Sequence, residues 1–217
     1  MTAPSQLRYI LTLLIAVILV GCQSTYYSAM EKVGIHKRDI MVDRLESTQS
    51  SQEEAQQQFQ SALEQFRSVV NFDGGDIEEA YNTLNSEYEK SSGAAQTVRD
   101  RIASVSHVSE ALFDEWEDEL DLYSNKSLKQ SSVRKLKETR KQYEQMMKNL
   151  KQAEASMKPV LDAMQDQVLF LKHNLNTQAI SALKKELNNI EVDIEALIAN
   201  MQKSIRGSRK MISTLKR

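Results

Sequence analysis

Three histidines, one cysteine and thirty carboxylates are the side chains from which this chain could build a reaction. His36, His107 and His173 are far apart, and no pair has the i, i+4 spacing that sets two imidazoles toward one metal ion on a helix. The chain contains no HExxH, no phosphate-binding glycine loop and no GxSxG. "DGGDIEE", from Asp73, has the look of a calcium loop but lacks alternating ligands and the glutamate at position twelve. Carboxylate pairs can hydrolyse glycans, but only across a cleft of fixed width, and nothing here implies a cleft. The expectation is a protein without catalysis, cofactor or metal.

Cys22 is different, because its surroundings assign it a role. Arg8 and the amino terminus give a short positive start. The apolar run Ile10 to Val20 is about half the ~20 residues a membrane helix needs, which suits a signal peptide. The run ends Leu19-Val20-Gly21-Cys22, which resembles the lipobox of bacterial lipoproteins. There the thiol receives diacylglycerol, the chain is cut before the cysteine, and the new amino group is acylated. The expected order is a signal peptide over 1–21, a lipidated linker over 22–27 and a helical domain over 28–217. Two or three acyl chains hold a protein stably in a bilayer, where one is marginal. Gln23 stands where lipoproteins kept in the inner membrane commonly carry aspartate, so the expected address is the outer membrane, facing the periplasm. With Cys22 acylated, no thiol remains for a disulfide, a nucleophile or a metal.

Six glycines, two prolines, 27% charged residues and a formal charge of −2 describe long helices, with no overall reason to bind nucleic acid. Heptads supply the arrangement. Steps of four and three from Ile77 give an unbroken a/d seam through Leu84, Ala95, Val98, Ile102, Val105 and Leu112 to Trp116. A second seam runs from Val133 through Arg140, Leu150, Glu154 and Leu161 to Leu175, and a third from Ile180 to Leu215. The weakest runs from Met41 through Thr48 and Gln52 to Val69. "NFDGGD" (71–76), "YSNKS" (123–127) and "HNLNT" (173–177) interrupt these registers, with Asp76 and Asn176 or Thr177 as candidate caps. The fold class is therefore all-α: a long, antiparallel, coiled-coil-like four-helix bundle, with helices near 28–70, 77–122, 127–174 and 177–215.

Arg140 and Glu154 fall on a core seam. Folding that hairpin about Asn125 sets them near Ser109 and Ala95, where a stagger lets both reach solvent; the alternative is that they set register. Pro159 should kink its helix. The acids of "DEWEDELD" (114–121) should face the basic start of the next helix, with Asp118 and Glu119 opposite Lys129 and Lys135. At one end, both termini and "YSNKS" lie toward the membrane, where Lys203, Arg206, Arg209 and Lys210 could meet anionic headgroups. At the other, Phe72, Asp73, Gly74, Asp76, Phe170, His173 and Asn174 form a tip suited to docking a partner.

The blocks "YYSAMEKVGIHKRDI", "FQSALEQFRSVVNFDGGD", "LFDEWEDELDLYSN" and "QVLFLKHNLNTQAI" are similar to a bacterial family known as domain of unknown function 2959. The resemblance implies a helical envelope protein and carries no activity or functional residues with it. The functional expectation is an envelope lipoprotein bound to the bilayer through acylated Cys22. It would serve as a non-enzymatic scaffold, spacer or adaptor toward an envelope protein or the cell wall. The alternative is a membrane-surface protein that organises or senses anionic lipid through its basic C-terminal end. A homo-oligomer stays open, because the weak first seam leaves apolar surface for another copy.

Overall fold

The computed structural model describes residues 26–27, 30–71 and 77–216. Four long helices carry almost all of them: α1 (Lys37–Val70), α2 (Ile77–Glu119), α3 (Lys126–His173) and α4 (Thr177–Leu215). A single 3-10 turn, Leu120–Leu122, closes α2. Each helix packs on its neighbours in sequence, and α1 with α4 closes the ring. Cross-links run antiparallel on every side of it. Gln58 of α1 donates to Glu87 of α2 at 2.7 Å, and Arg67 of α1 pairs with Glu191 of α4 at 2.7 Å. Gln142 of α3 accepts from Thr214 of α4 at 2.7 Å. The chain is an all-α helical bundle.

The heptads set the faces. All nine seam positions of α1 are buried, Thr48 and Gln52 included, so this seam leaves no bare surface and that ground for a second copy falls away. No position of the α2 seam is exposed. Small and polar side chains thread the core: Ser91, Ser109, Ser204 and Ser208 are fully covered, and Gln52 donates to Ser204 at 3.0 Å. A buried amide paired this way avoids the roughly 1–3 kcal/mol that an unpaired one costs.

The helix ends follow local chemistry. Asn125 accepts from the backbone of Ser127 and Leu128, and Asn176 from that of Ala179, so both residues cap the helices they precede. The break at 173–177 is real, and α3 runs unbroken through Pro159.

Three expectations need correction. The first helix does not run from 28. A helical turn ends at Gly34, whose φ of +85 suits glycine, with Gly34 N–H donating to Glu31 and Ile35 N–H to Met30. The chain then reverses into α1. On the seam expected for the third helix, Val133 and Leu175 are 43% and 51% exposed, and Leu175 lies beyond the helix end at His173. Finally, Arg140 pairs with Glu117 at 2.9 Å and Arg99 with Glu154 at 3.8 Å, so each has a charged partner across the α2–α3 seam that small neighbours alone did not foretell. Near the turn the pairing is centred on Asn125, with Asp121 meeting Lys129 and Trp116 meeting Ser132, and farther along both Arg140 and Glu154 are half-buried and reach the surface.

The helices also end at different heights. Thr214 sits opposite Gln142, so α4 stops while α3 continues toward Lys126 for about 22 Å more. Lys37, at the start of α1, bonds to Glu115 at 2.8 Å, which leaves the end of α2 projecting beyond α1 by roughly 10 Å. The α2–α3 hairpin is thus an overhang. Val133 is exposed there because no fourth helix reaches it.

Candidate functional site

The two ends of the bundle are the candidate sites, because exposed large hydrophobic side chains collect there. Tyr26, Val33, Ile35, Leu122, Tyr123, Leu128 and Val133 belong to the overhang end, and Leu169, Phe170 and Leu175 to the opposite tip. Val192 is the one other such residue among those described.

At the overhang end, a charged cluster holds the N-terminal turn in place. The Lys37 ammonium donates to both Glu31 and Glu115 while only 12% exposed. Burial works against the Lys37 charge, but hydrogen bonds to Glu115 and Glu31 win and raise its pKa. The Lys37 bond holds Glu31 below the usual carboxylate range, whereas burial lifts Glu115 above it. Tyr27 is buried in the core, and burial raises its phenol although nearby Arg44 opposes the shift. The turn therefore folds back alongside α1 toward Arg44. Sequence reasoning missed this cluster, because its three members lie on three separate segments.

The hairpin charges do pair, though not in the expected combination. Asp121 meets Lys129 at 2.9 Å and Glu117 meets Arg140, whose guanidinium also lies 5.2 Å from the Phe113 ring centre. Asp118 and Glu119 make no ion pair among the described residues. Trp116 donates its indole N–H to Ser132 at 2.8 Å, tying the hairpin together.

Lys203, Arg206, Arg209 and Lys210 are all exposed, but along the flank of α4 rather than at the end of the molecule. Lys210 lies roughly 30 Å from the tip of the overhang, since α4 stops short. Arg209 is paired with Glu53 at 3.2 Å, and Lys216 with Glu46 at 2.8 Å. Lys210 lines a groove of about 560 Å³ with Lys141, Lys148, Met146 and Met211. Gly207 opens its floor, for a Cβ there would meet Asn149 Nδ2 at 3.2 Å.

At the tip, His173 closes α3 and Asn174 caps it, its side-chain amide donating to the Phe170 carbonyl at 2.9 Å. His173 is exposed and Asn174 half-buried. Phe72, Asp73, Gly74 and Asp76 lie outside the described residues, as does Cys22. The helix ends that flank 72–76 meet the α3–α4 turn at the same end of the bundle. Among the described residues, no group of three or more His, Cys, Asp or Glu is arranged to hold a metal ion, and no helix is long and apolar enough to cross a membrane.

Comparisons with curated proteins and with solved structures each found no match. The family model described as protein of unknown function (DUF2959) matches residues 26–215, the whole helical bundle. The chain belongs to that family.

Proposed function

We propose that this chain is an envelope lipoprotein, tethered to the bilayer through acylated Cys22, that works as a non-enzymatic scaffold, spacer or adaptor in the periplasm. The observation that carries this reading is the segregation of exposed apolar side chains to the two ends of the bundle. The longest helix, α3, has 48 residues and so spans about 72 Å. A rod with a polar flank and two apolar ends suits joining one thing to another. One end would face the membrane, and the other, with Phe170, His173, Asn174 and the 72–76 turn, an envelope protein or the cell wall.

A photo-crosslinking residue at Gly74 in living cells tests the adaptor reading, with Lys210 as the flank control. A discrete protein or glycan adduct at Gly74 alone supports it; no adduct there sinks it. The membrane-surface alternative finds its support in Lys141, Lys148 and Lys210, which converge on one groove and make no ion pair among the described residues. Lipid adducts at Lys210, weakened by salt, would favour it.

A further inference from the structure

We propose that the tip of the α2–α3 hairpin, with Leu122, Tyr123 and Leu128 at its surface, inserts into the headgroup layer of the bilayer that holds Cys22. This inference rests on the acylated-cysteine reading and adds to it a second, non-covalent membrane contact.

The hairpin carries an exposed apolar surface that the fold leaves uncovered. Leu122 is 82% exposed and Leu128 57%, and no helix of the described chain packs over them. Their exposure has a structural cause, because α4 ends opposite Gln142 and α1 begins opposite Glu115. Apolar side chains gathered at one end of a bundle in this way mark an interaction surface.

The tether says what covers it. The chain from Cys22 to Tyr26 reaches at most about 14 Å even fully extended. Tyr26, however, does not start at the end of the molecule. The N-terminal turn folds back along α1 toward Arg44, so Tyr26 lies roughly 20 Å behind the hairpin tip. If Cys22 sits at the headgroup level and the bundle stands upright, the tip passes that level by about 5–10 Å. That is the depth to which interfacial elements bury their apolar faces.

The chemistry at the tip is suited to that position. Tyr123 presents an aromatic ring with a polar end, a type that favours the membrane–water boundary. Asp121 and Lys129 neutralise each other beside it. The basic start of α3 and the acidic end of α2 balance, so insertion requires no anionic lipid.

The test uses the full chain as cells acylate it, in phosphatidylcholine vesicles. Trp116→Phe removes the single native tryptophan, and Leu122→Trp or Phe170→Trp then places one indole at either end. Brominated phosphatidylcholine should quench the indole at position 122, with its emission shifted to the blue, and leave the one at 170 unchanged. In a companion variant, Tyr123→Trp should be quenched in the same way and lose that quenching when Leu122→Asp and Leu128→Asp are added. Both acidic changes fall on exposed residues, so circular dichroism should remain that of the parent. An indole at 122 open to acrylamide and untouched by bromine overturns the proposal. So does one shielded from acrylamide yet unquenched by bromine, since protein would then be covering the tip. The mass of the N-terminal peptide separates the two readings: without acyl chains the lipoprotein reading fails, whereas acyl chains with an unquenched tip defeat this inference alone.

Discussion

At the scale of single residues, the side chain with most depending on it is Lys37. It links the N-terminal turn, through Glu31, to the end of α2, through Glu115. Replacing Lys37 with methionine leaves two part-buried carboxylates facing each other, and should cost about 2 kcal/mol. Faster amide exchange at residues 30–35 than in the centre of α2 would show it. The pH dependence has a definite sign. Because the Lys37 pKa is raised on folding, its contribution is full below 10.5, the ordinary lysine value, and is lost as pH rises through the higher folded value. Glu31, lowered on folding, contributes above the ordinary carboxylate value and loses that contribution as pH falls through its depressed one. Glu115 is raised by burial and so acts in the opposite sense, being relieved as it takes up a proton. The turn should therefore stay closed across the neutral range and loosen as pH rises beyond the ordinary lysine value. Gly34 belongs to the same device. Nothing crowds its α-carbon, but its φ of +85 makes Gly34→Ala cost about 1–2 kcal/mol in backbone strain, measurable as a lower melting temperature. The glycine was visible in the sequence. Its positive φ was not, because that depends on where the turn must fold back.

At the scale of elements, the hairpin shows why complementary runs of charge do not reveal their own pairings. The acids of 114–121 and the bases of 126–141 do meet, but through Glu117–Arg140 and Asp121–Lys129. Reversing Asp118 and Glu119 should therefore change stability by no more than about 0.5 kcal/mol. Glu117→Lys should cost up to about 1 kcal/mol, and Arg140→Glu should restore only part of it. The shortfall would reflect the lost stacking of the guanidinium on Phe113, and a double-mutant cycle by denaturant melts would measure both terms. Pro159 lies on the exposed side of α3, where it removes a helical hydrogen bond. Pro159→Ala should raise stability by about 1–3 kcal/mol, and an unchanged melt would mean the helix already accommodates the ring. Helix identity and face were legible throughout, since both depend on neighbours three and four residues away. Boundaries were legible where a capping asparagine marked them, as at Asn125 and Asn176. Val133 and Leu175 were misread because a seam position is buried only if a partner helix extends that far.

At the scale of the whole molecule, what remains is the relation between its ends. The bundle is closed along its length by four seams, and its uncovered apolar residues lie almost wholly at the overhang and at the tip. That distribution supports a link between a bilayer and something held away from it. It also sets the basic stretch of α4 back from the overhang end. In an upright molecule with the hairpin tip at the bilayer, as proposed, Lys203 to Lys210 stand about four to five Debye lengths, of about 8 Å each at physiological salt, behind that tip. Charge reversal at Lys203 and Arg206 should then leave vesicle binding of the acylated chain unchanged in flotation assays, and a loss of binding would return weight to the membrane-surface reading.

The sequence by itself determined the helices, their buried faces, the turns between them and the order in which they pack, because heptads, caps and loop lengths are local properties. It also carries the lipobox-like run ending at Cys22, on which the proposed tether rests independently of the fold. Only the tertiary structure decided the stagger of the helices. From that stagger follow the overhang, the exposed Leu122 and Leu128, the partners of each charge and the fold-back at Gly34. Stagger is set by the fit of four seams at once, to within a single turn, and no one segment of the chain contains that information.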